Sequence, residues 1–350
     1  MVHWKRGMDP IDFSHLYEGV MLEDEEGDIR PRTQPYFKAK LIAPGTWQVL
    51  SDGDYSYLLE GDDELLLIDS GQGVGNIRAF CQGLVPNKPL WRMVLTHSHV
   101  DHLINNYLFD AVYMSRESYD TLPLETYEQF GVPADYPVVF LRDGDTIELA
   151  GRPLKVLHVW EHNVGSIQLL DRKTRILFCG DELNANFFDS TVSVEWSYRN
   201  VRRWQSLRDA YDMLAAGNGI CSAEYVDRYE RALRYILEGH AGEGVQHYRP
   251  NSVTDRVASV AEKDGVRVAA RRTPDWESPL FAVGGKTIRQ IMLEKGMNED
   301  LALNDGHAHF CFIRKLNEDG MFDRELVYDG CHVCYYLNRI WGTEASNWGR

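Results

Sequence analysis

A short apolar run that ends in four potential metal ligands is the feature of this sequence that most constrains its fold. The run WRMVL is followed at residues 96–102 by THSHVDH, which supplies His97, His99, Asp101 and His102. In an extended segment the first two rings point to one side, and a turn would bring the other two groups back toward them. Buried polar groups need partners, and imidazoles and carboxylates are ligands of zinc, iron and manganese. The pattern therefore predicts a metal site at the end of a strand.

Two later segments offer further ligands in the same position relative to a strand. The segment LHVWEHNVGSI carries His162 at the end of a strand-like run, and ILFCGDEL carries Asp181 directly after an apolar run. An aspartate after a strand is by itself more often a helix cap than a metal ligand. Following the first cluster in this order, both residues are candidates for the same metal site.

These motifs resemble the successive motifs of the metallo-β-lactamase-fold hydrolase superfamily. The resemblance covers about residues 45–240 and rests on IDSG (68–71), THSHVDH (96–102), HNVGSI (162–167) and FCGDEL (178–183). It implies an α/β (α+β) fold, a four-layer αβ/βα sandwich of the metallo-β-lactamase type, with two divalent metal ions at one edge. Zn²⁺ is the preferred metal, and Fe or Mn are alternatives.

The same resemblance implies which side chains hold the two metals. The first metal would be held by three imidazoles, from His97, His99 and His162. The second would be held by two carboxylates and one imidazole, from Asp101, His102 and Asp181, with Asp181 bridging both ions. Asp69 of the IDSG motif would support the site without binding a metal. Asp101 and Asp181 are also the candidate catalytic residues, since either carboxylate could accept a proton as water attacks.

The sequence departs from the superfamily at two of its motifs. The third motif usually reads Pro-Gly-His, whereas this chain has Trp160, Glu161 and His162. The last ligand is usually a histidine after a late strand, and here Asn218 and Glu224 compete for that position. Because residues 200–217 have helical spacing, Asn218 would precede the last strand and Glu224 would follow it. We therefore predict Glu224 as a ligand of the second metal, with an incomplete second site as the alternative.

The predicted activity is that of a metal-dependent hydrolase. A metal-bound hydroxide would attack a small carboxylic ester, lactone or thioester. Two alternatives remain open, an iron-dependent oxygenase on the same ligands and a degenerate, non-catalytic metal-binding module. The flavin-linked branch of the superfamily usually has glutamate where this chain has His99, which disfavours that branch. Four aromatic residues could line a pocket or belong to the core, namely Trp160, Trp196, Tyr198 and Trp204.

Composition limits the class of partner. The formal net charge is −16 and no run of basic residues exceeds two, which argues against binding to nucleic acid. The chain lacks an apolar stretch of about 18 residues and an apolar segment near residue 1, so we expect a cytoplasmic protein without a membrane span or signal peptide. The six cysteines mostly lie in apolar runs, where reduced, buried thiols are expected.

The chain divides into three predicted regions. These are an irregular N-terminal arm (1–44), a metal-binding domain (45–240) and a C-terminal extension (241–350). The extension contains a helical pattern at 287–296 and strand-like runs at 309–316, 325–330 and 334–341. So many apolar residues would have to be buried, either against the core or against a second subunit in a homodimer. The pairs His307/His309 and Cys331/Cys334 are predicted to pack rather than to bind a further metal.

Overall fold

The computed structural model describes residues 9–23, 29–51, 55–184, 187–242, 260–263, 266–270 and 324–342. The strands in these ranges are β1 (Val20–Glu23), β2 (Ile29–Pro31), β3 (Lys38–Ala43), β4 (Thr46–Leu50), β5 (Tyr55–Glu60), β6 (Leu65–Ile68), β7 (Leu90–Val94), β8 (Ala111–Ser115), β9 (Val138–Leu141), β10 (Thr146–Leu149), β11 (Arg152–Leu157), β12 (Gln168–Asp171), β13 (Ile176–Gly180), β14 (Phe187–Asp189), β15 (Met213–Ala216), β16 (Gly219–Ser222), β17 (Val260–Lys263), β18 (Val266–Ala270), β19 (Arg324–Tyr328) and β20 (Cys331–Tyr335). The α-helices are α1 (Ile77–Leu84), α2 (Val100–Leu103), α3 (Arg116–Asp120), α4 (Leu124–Phe130), α5 (Val194–Gln205) and α6 (Glu224–Tyr235).

Two large sheets form the centre of the molecule. Strands β3 to β9 make a seven-stranded sheet, and the second sheet has six strands in the order β10-β11-β12-β13-β15-β16. One hydrophobic cluster joins the facing sides of both sheets to α5 and α6, and a second joins the other side of the seven-stranded sheet to α1 and α4. The predicted four-layer αβ/βα sandwich is therefore confirmed.

Strand β6 illustrates why these short apolar runs become central strands. Leu66 and Ile68 belong to the cluster between the sheets, whereas Leu65 and Leu67 belong to the cluster under the helices. Successive side chains of a strand point to opposite faces, so a strand that is covered on both faces must be apolar throughout. This burial fixes the register of β6 and thus the position of the residue that follows it.

Two predictions about local structure are wrong. Residues 200–217 do not form one helix, since α5 ends at Gln205 and Met213–Ala216 form strand β15, paired in parallel with β13. The helix begins earlier than predicted because the Ser193 hydroxyl accepts a hydrogen bond from Trp196 N. The N-terminal region is also more than an irregular arm, because β3 pairs with β4 in the large sheet and Phe13 is fully buried.

The described part of the C-terminal region packs against the metal-binding domain. Strands β14, β20 and β19 form a three-stranded sheet, and Leu326, Val333 and Tyr335 join the cluster that contains α6. Cys331 and Cys334 are buried. The predicted helix at 287–296, the predicted strand at 309–316 and the pair His307/His309 lie outside the described residues. The division into three regions stays a prediction.

Two further expectations concern the burial of the cysteines and the absence of a membrane span. The five cysteines in the described ranges are all buried, namely Cys81, Cys179, Cys221, Cys331 and Cys334. Burial raises the pKa of the Cys81 thiol well above its usual value, which keeps it protonated. Every helix in the described part of the chain is too short or too polar to cross a membrane.

A buried arginine forms an ion pair within one sheet and a hydrogen bond to the other. The guanidinium of Arg152 on β11 donates to Asp171 on β12 over 2.6 Å, and both side chains are at most 1% exposed. The same guanidinium donates to Thr46 Oγ1 on β4 of the other sheet over 2.6 Å. Each charge therefore has a partner in a place where an isolated charge would be unfavourable.

We predict that Arg152→Met lowers the free energy of unfolding by about 3–5 kcal/mol, because it leaves the Asp171 carboxylate buried without its counter-charge. Urea denaturation measures the change. The control is Arg175→Met, which removes a surface pair with Asp212 and should cost less than about 1 kcal/mol. Equal effects in the two variants would contradict the proposed importance of the buried pair.

Candidate metal centre

Polar residues that follow strands of both sheets lie at one edge of the sandwich. Ile68 at the end of β6 lies beside Val94 at the end of β7 in a parallel pair, so Asp69 and the segment that begins with Thr96 emerge together. In the other sheet β13 and β15 are also parallel, and Gly180 is paired with Ala216. Polar groups that follow parallel strands meet at the carboxyl edge of a sheet, which is where the candidate ligands converge.

Three imidazoles come together at this edge. The ligand nitrogens of His97, His99 and His162 all lie within 4.8 Å of one another. His162 Nε2 is 2.8 Å from His99 Nδ1, although the two residues are 63 positions apart. His97 is completely buried and His162 is 8% exposed. Neutral imidazole nitrogens that point to one space are a ligand set suited to zinc, iron or manganese.

A second group adjoins the first and contains a carboxylate. Ligand atoms of His97, His102 and Asp181 also lie within 4.8 Å of one another. The carboxylate of Asp181 lies between two rings, since Oδ1 is 3.4 Å from His102 Nε2 and Oδ2 is 3.6 Å from His162 Nε2. One carboxylate oxygen is thus directed to each group, as expected of a side chain that bridges two positions.

The buried carboxylate of Asp69 orients two of these histidines. Its Oδ1 accepts from Thr96 N over 2.7 Å, and its Oδ2 accepts from Thr96 Oγ1 over 2.8 Å. Its Oδ2 also lies 2.9 Å from His102 Nδ1. The Thr96 hydroxyl, whose proton is given to Asp69, lies 3.0 Å from His97 Nδ1. Asp69 therefore contacts His102 directly and His97 through one hydroxyl.

These contacts decide which ring nitrogen of each neutral histidine carries the proton. A carboxylate only accepts, so His102 Nδ1 must be the donor to Asp69. The Thr96 oxygen has already given its proton to Asp69, so it accepts from His97 Nδ1. In both neutral rings the lone pair is then on Nε2, the nitrogen not engaged by Asp69 or Thr96. An acceptor behind the imidazole that fixes its tautomer is the usual arrangement behind metal-binding histidines.

The electrostatics of the edge favour a positive charge. Burial opposes protonation of His102, but the carboxylates of Asp181, Asp69 and Asp101 together raise its pKa well above the ordinary value. The same carboxylates that would stabilise an imidazolium would stabilise a divalent cation in its place. The donor chemistry, the tautomers and the local charge therefore all fit a metal ion.

Two buried glutamates that the sequence analysis did not identify as site residues hold the loop that carries His162. Glu182 Oε2 accepts from the backbone N–H of His162 over 3.0 Å, and Glu161 accepts from Ser197 and Asn200 on α5. Burial raises the pKa of Glu161 to about 8, although these hydrogen bonds lower it, and burial raises the pKa of Glu182 to about 7. The available signal was that each glutamate adjoins a candidate ligand at a strand end.

Gly180 permits the close approach of the two sheets at this edge. Its φ of +55° lies in the left-handed region, and a Cβ atom there would come within 2.6 Å of Thr96 Oγ1. A larger residue would displace the hydroxyl that orients His97. The glycine therefore lets the end of β13, with Asp181, lie directly against the histidine segment.

The sequence-based choice of Glu224 over Asn218 is wrong. Strand β15 runs toward the edge that holds Asp181, and β16 runs back from it, with Ala216 paired to Gly219 and Met213 paired to Ser222. Glu224 therefore lies at the opposite end of the sheet, exposed, as the first residue of α6. Asn218 lies in the turn between the two strands, at the edge with Asp181.

The remaining candidates occupy different environments. Asp101 is half-buried in α2, and within the described chain neither converging group includes it. Trp204 is a fully buried core residue. Trp160 and Trp196 are half-buried with ring centroids 4.9 Å apart, and Trp160 lies two residues before His162. Tyr198 is half-buried and donates to Glu230 on α6.

Comparison with known proteins identifies relatives for the central part of the chain. Residues 52–220 match the family model described as the metallo-beta-lactamase superfamily. The acyl-coenzyme A thioesterase MBLAC2 of Homo sapiens is 31% identical over 158 residues, which cover 36% of this chain and 56% of that protein. A hydroxyacylglutathione hydrolase of Xylella fastidiosa (strain M23) is 26% identical over 133 residues, which cover 38% of this chain and 46% of that protein.

The similarity is thus confined to part of each protein, and the chain spans about half the length of the curated relatives it matches. Among solved structures, a beta-lactamase domain protein from Burkholderia ambifaria superposes with a TM-score of 0.48 and 18% identity. That superposition covers 59% of this chain and 78% of the other.

We predict that Asp69→Asn weakens metal binding by about 10–100-fold, because the amide has one acceptor oxygen where the carboxylate uses two for three donors, and its NH2 group would face one of those donors. Competition with a chromogenic chelator measures the affinity. The backbone should tolerate the change, since asparagine also adopts the left-handed conformation that Asp69 has at φ 60°. Asp329→Asn, at a second left-handed aspartate remote from the histidines, is the control and should bind metal normally. Equal affinity in both variants would argue against the role of Asp69.

We predict that Glu224→Ala leaves the metal content unchanged, whereas Asp181→Ala lowers it. The reason is that Glu224 is at the far end of β16 and Asp181 lies between the two groups. Elemental analysis of both purified variants measures metal per chain. Loss of metal in Glu224→Ala would restore the sequence-based assignment and contradict the placement of Glu224 away from the site.

Proposed function

We propose that this protein, whose residues 52–220 belong to the metallo-β-lactamase superfamily, is a metal-dependent hydrolase of acyl thioesters. One observation carries the proposal. Three imidazoles converge at one edge of the sandwich, and the carboxylate of Asp181 lies between His102 and His162. Burying these polar side chains without a bound ion would be energetically unfavourable. The same side chains are suitable ligands for a metal that activates water.

The proposed ligands follow from the two groups of donor atoms. His97, His99 and His162 would hold one ion, and His102 with Asp181 would hold a second, with Asp181 shared. Asp101 is half-buried beside His102 and would contribute charge. Zn²⁺ is the metal we expect, with Fe or Mn as alternatives, and the occupancy of the second position is part of the proposal.

The chemistry needs a nucleophile and stabilisation of the developing charge. When bound, divalent ions would polarise the thioester carbonyl and lower the pKa of water toward neutrality. Asp181 is placed to accept a proton as water attacks, because its two oxygens face the two groups. The water oxygen bonds to the carbonyl carbon, the carbon–sulfur bond breaks, and the thiolate leaves and takes up a proton. The products are a carboxylate and a thiol.

We prefer thioesters to carboxylic esters and lactones as the substrate class because of the names of two relatives. The human protein is named as an acyl-coenzyme A thioesterase, and the Xylella protein as a hydroxyacylglutathione hydrolase. Both names describe release of an acyl group from a thiol-containing carrier. The net charge of −16 disfavours a polyanionic nucleic acid as the substrate. A small acyl thioester is therefore the first substrate class to test.

The decisive experiment measures metal content and then hydrolysis of a panel of acyl thioesters, lactones and phosphodiesters. We expect about one to two equivalents of divalent metal per chain and turnover of a thioester that is lost when metal is removed by chelation and restored by Zn²⁺. Metal without hydrolysis of any panel member would favour a non-catalytic module. A redox signal after anaerobic loading with iron would favour an oxygenase.

We predict that His99→Ala loses most of the bound metal and reduces turnover by at least about 100-fold, because one imidazole of the first position is removed. His158→Ala is the matched control. This nearby histidine is half-buried and belongs to neither group. Normal metal content in His99→Ala, or equal losses in the two variants, would contradict the proposed site.

A further inference from the structure

The segment that carries His162 is held from two sides by buried carboxylates. Residues 160–163 follow the end of β11, where the chain has no regular secondary structure. Glu182 is 4% exposed and Glu161 is 1% exposed. An acidic side chain is rarely buried to this degree unless it has several hydrogen-bond partners, so the donors around each glutamate indicate what it holds in place.

Glu182 binds the backbone of the segment itself. Its Oε2 accepts from Glu161 N over 2.7 Å and from His162 N over 3.0 Å, and its Oε1 lies 3.4 Å from Asn163 N. One carboxylate thus receives three consecutive N–H groups, including that of the histidine. Glu182 directly follows Asp181, so the end of β13 contacts both the imidazole cluster and the loop that supplies His162.

Glu161 binds the opposite side of the segment to the helix layer. Its Oε1 accepts from Thr191 N over 3.0 Å and from Ser197 Oγ over 2.8 Å, and its Oε2 accepts from Asn200 Nδ2 over 2.9 Å. Asn200 also donates to the carbonyl oxygen of Trp160 over 2.8 Å. The loop is therefore fixed to α5 on one side and to β13 on the other.

The position of the His162 ring depends on this arrangement. The ring reaches the other histidines from a loop on the opposite sheet, and its Nε2 lies 2.8 Å from His99 Nδ1. Ligands must be held to within about 0.5 Å of the productive geometry, and loops rarely achieve this without a supporting layer of hydrogen bonds. Glu182 accepts hydrogen bonds from His162 and from both of its neighbours in the chain, and Glu161, one of those neighbours, is bound in turn to α5.

We propose that Glu161 and Glu182 are positioning residues that set the place of His162 in the metal site from opposite sides of its loop. The inference rests on the proposed metal-binding function, but the contacts that carry it are internal to the protein. A purely structural role predicts a loss of stability only. A positioning role predicts in addition a change at His162 and at the metal.

The test compares Glu161→Gln and Glu182→Gln with Glu230→Gln. Each glutamine keeps the shape of the side chain but turns one acceptor into a donor that faces other donors. Glu230 is the matched control, since it is a buried glutamate on α6 that pairs with Tyr198, Arg202 and Arg234, none of which belongs to the loop. Chelator competition measures affinity for the first equivalent of Zn²⁺, and the visible spectrum of the Co²⁺-loaded protein reports its ligand geometry.

We expect both loop variants to bind Zn²⁺ about 10–100-fold more weakly and to show an altered Co²⁺ spectrum, with both properties unchanged in Glu230→Gln. If a loop variant fails to fold, Asn200→Ala provides a milder test, because it removes donors only to Glu161 and Trp160. Affinity and spectrum equal to those of the control in every loop variant would overturn the proposal.

A second readout separates this inference from the proposed function. The imidazole resonances of His162, assigned with His162→Gln, can be followed in the metal-free protein. They should shift in Glu161→Gln and Glu182→Gln and stay constant in Glu230→Gln. A wild-type protein that binds no metal would refute the proposed function, while constant His162 resonances in both loop variants would refute the positioning role.

Discussion

The candidate site depends first on one buried carboxylate. Asp69 follows the central strand β6 and accepts hydrogen bonds from Thr96 N, Thr96 Oγ1 and His102 Nδ1 within 2.9 Å. Its own backbone is in the left-handed region at φ 60°, a conformation that aspartate tolerates better than most residues. Through this one group the loop after β6 orients the segment after β7 and fixes the positions of the His102 and His97 rings.

The candidate site depends, second, on the contact between the two large sheets. His97, His99 and His102 come from the seven-stranded sheet, whereas His162 and Asp181 come from the six-stranded one. Ile167 N donates to Thr96 O over 2.9 Å, which links the two sheets beside the cluster. Each sheet alone would hold only part of the donor set. The packing that stabilises the sandwich is thus also what assembles the site.

The sequence predicted what is local and missed what depends on tertiary pairing. The histidine cluster and the strands around it could be predicted because the apolar runs and the ligand spacing lie within a few residues. The chain around the last candidate ligand could not be predicted in the same way. Its residues 213–216, MLAA, have helical spacing in the sequence and form strand β15 only by pairing with β13. That pairing reverses the order of elements on which the choice of Glu224 depended. The roles of Glu161 and Glu182 were missed because their partners are 19–39 residues away in the sequence.

The central claim is that His97, His99 and His162 form one metal position. X-ray absorption spectroscopy of the protein loaded with one equivalent of Zn²⁺ tests it most directly, because imidazole rings give a characteristic multiple-scattering pattern. We predict three imidazoles at about 2.0–2.1 Å, with oxygen completing the shell and no sulfur. A spectrum with one imidazole or none, or with thiolate sulfur at about 2.3 Å, would contradict this claim.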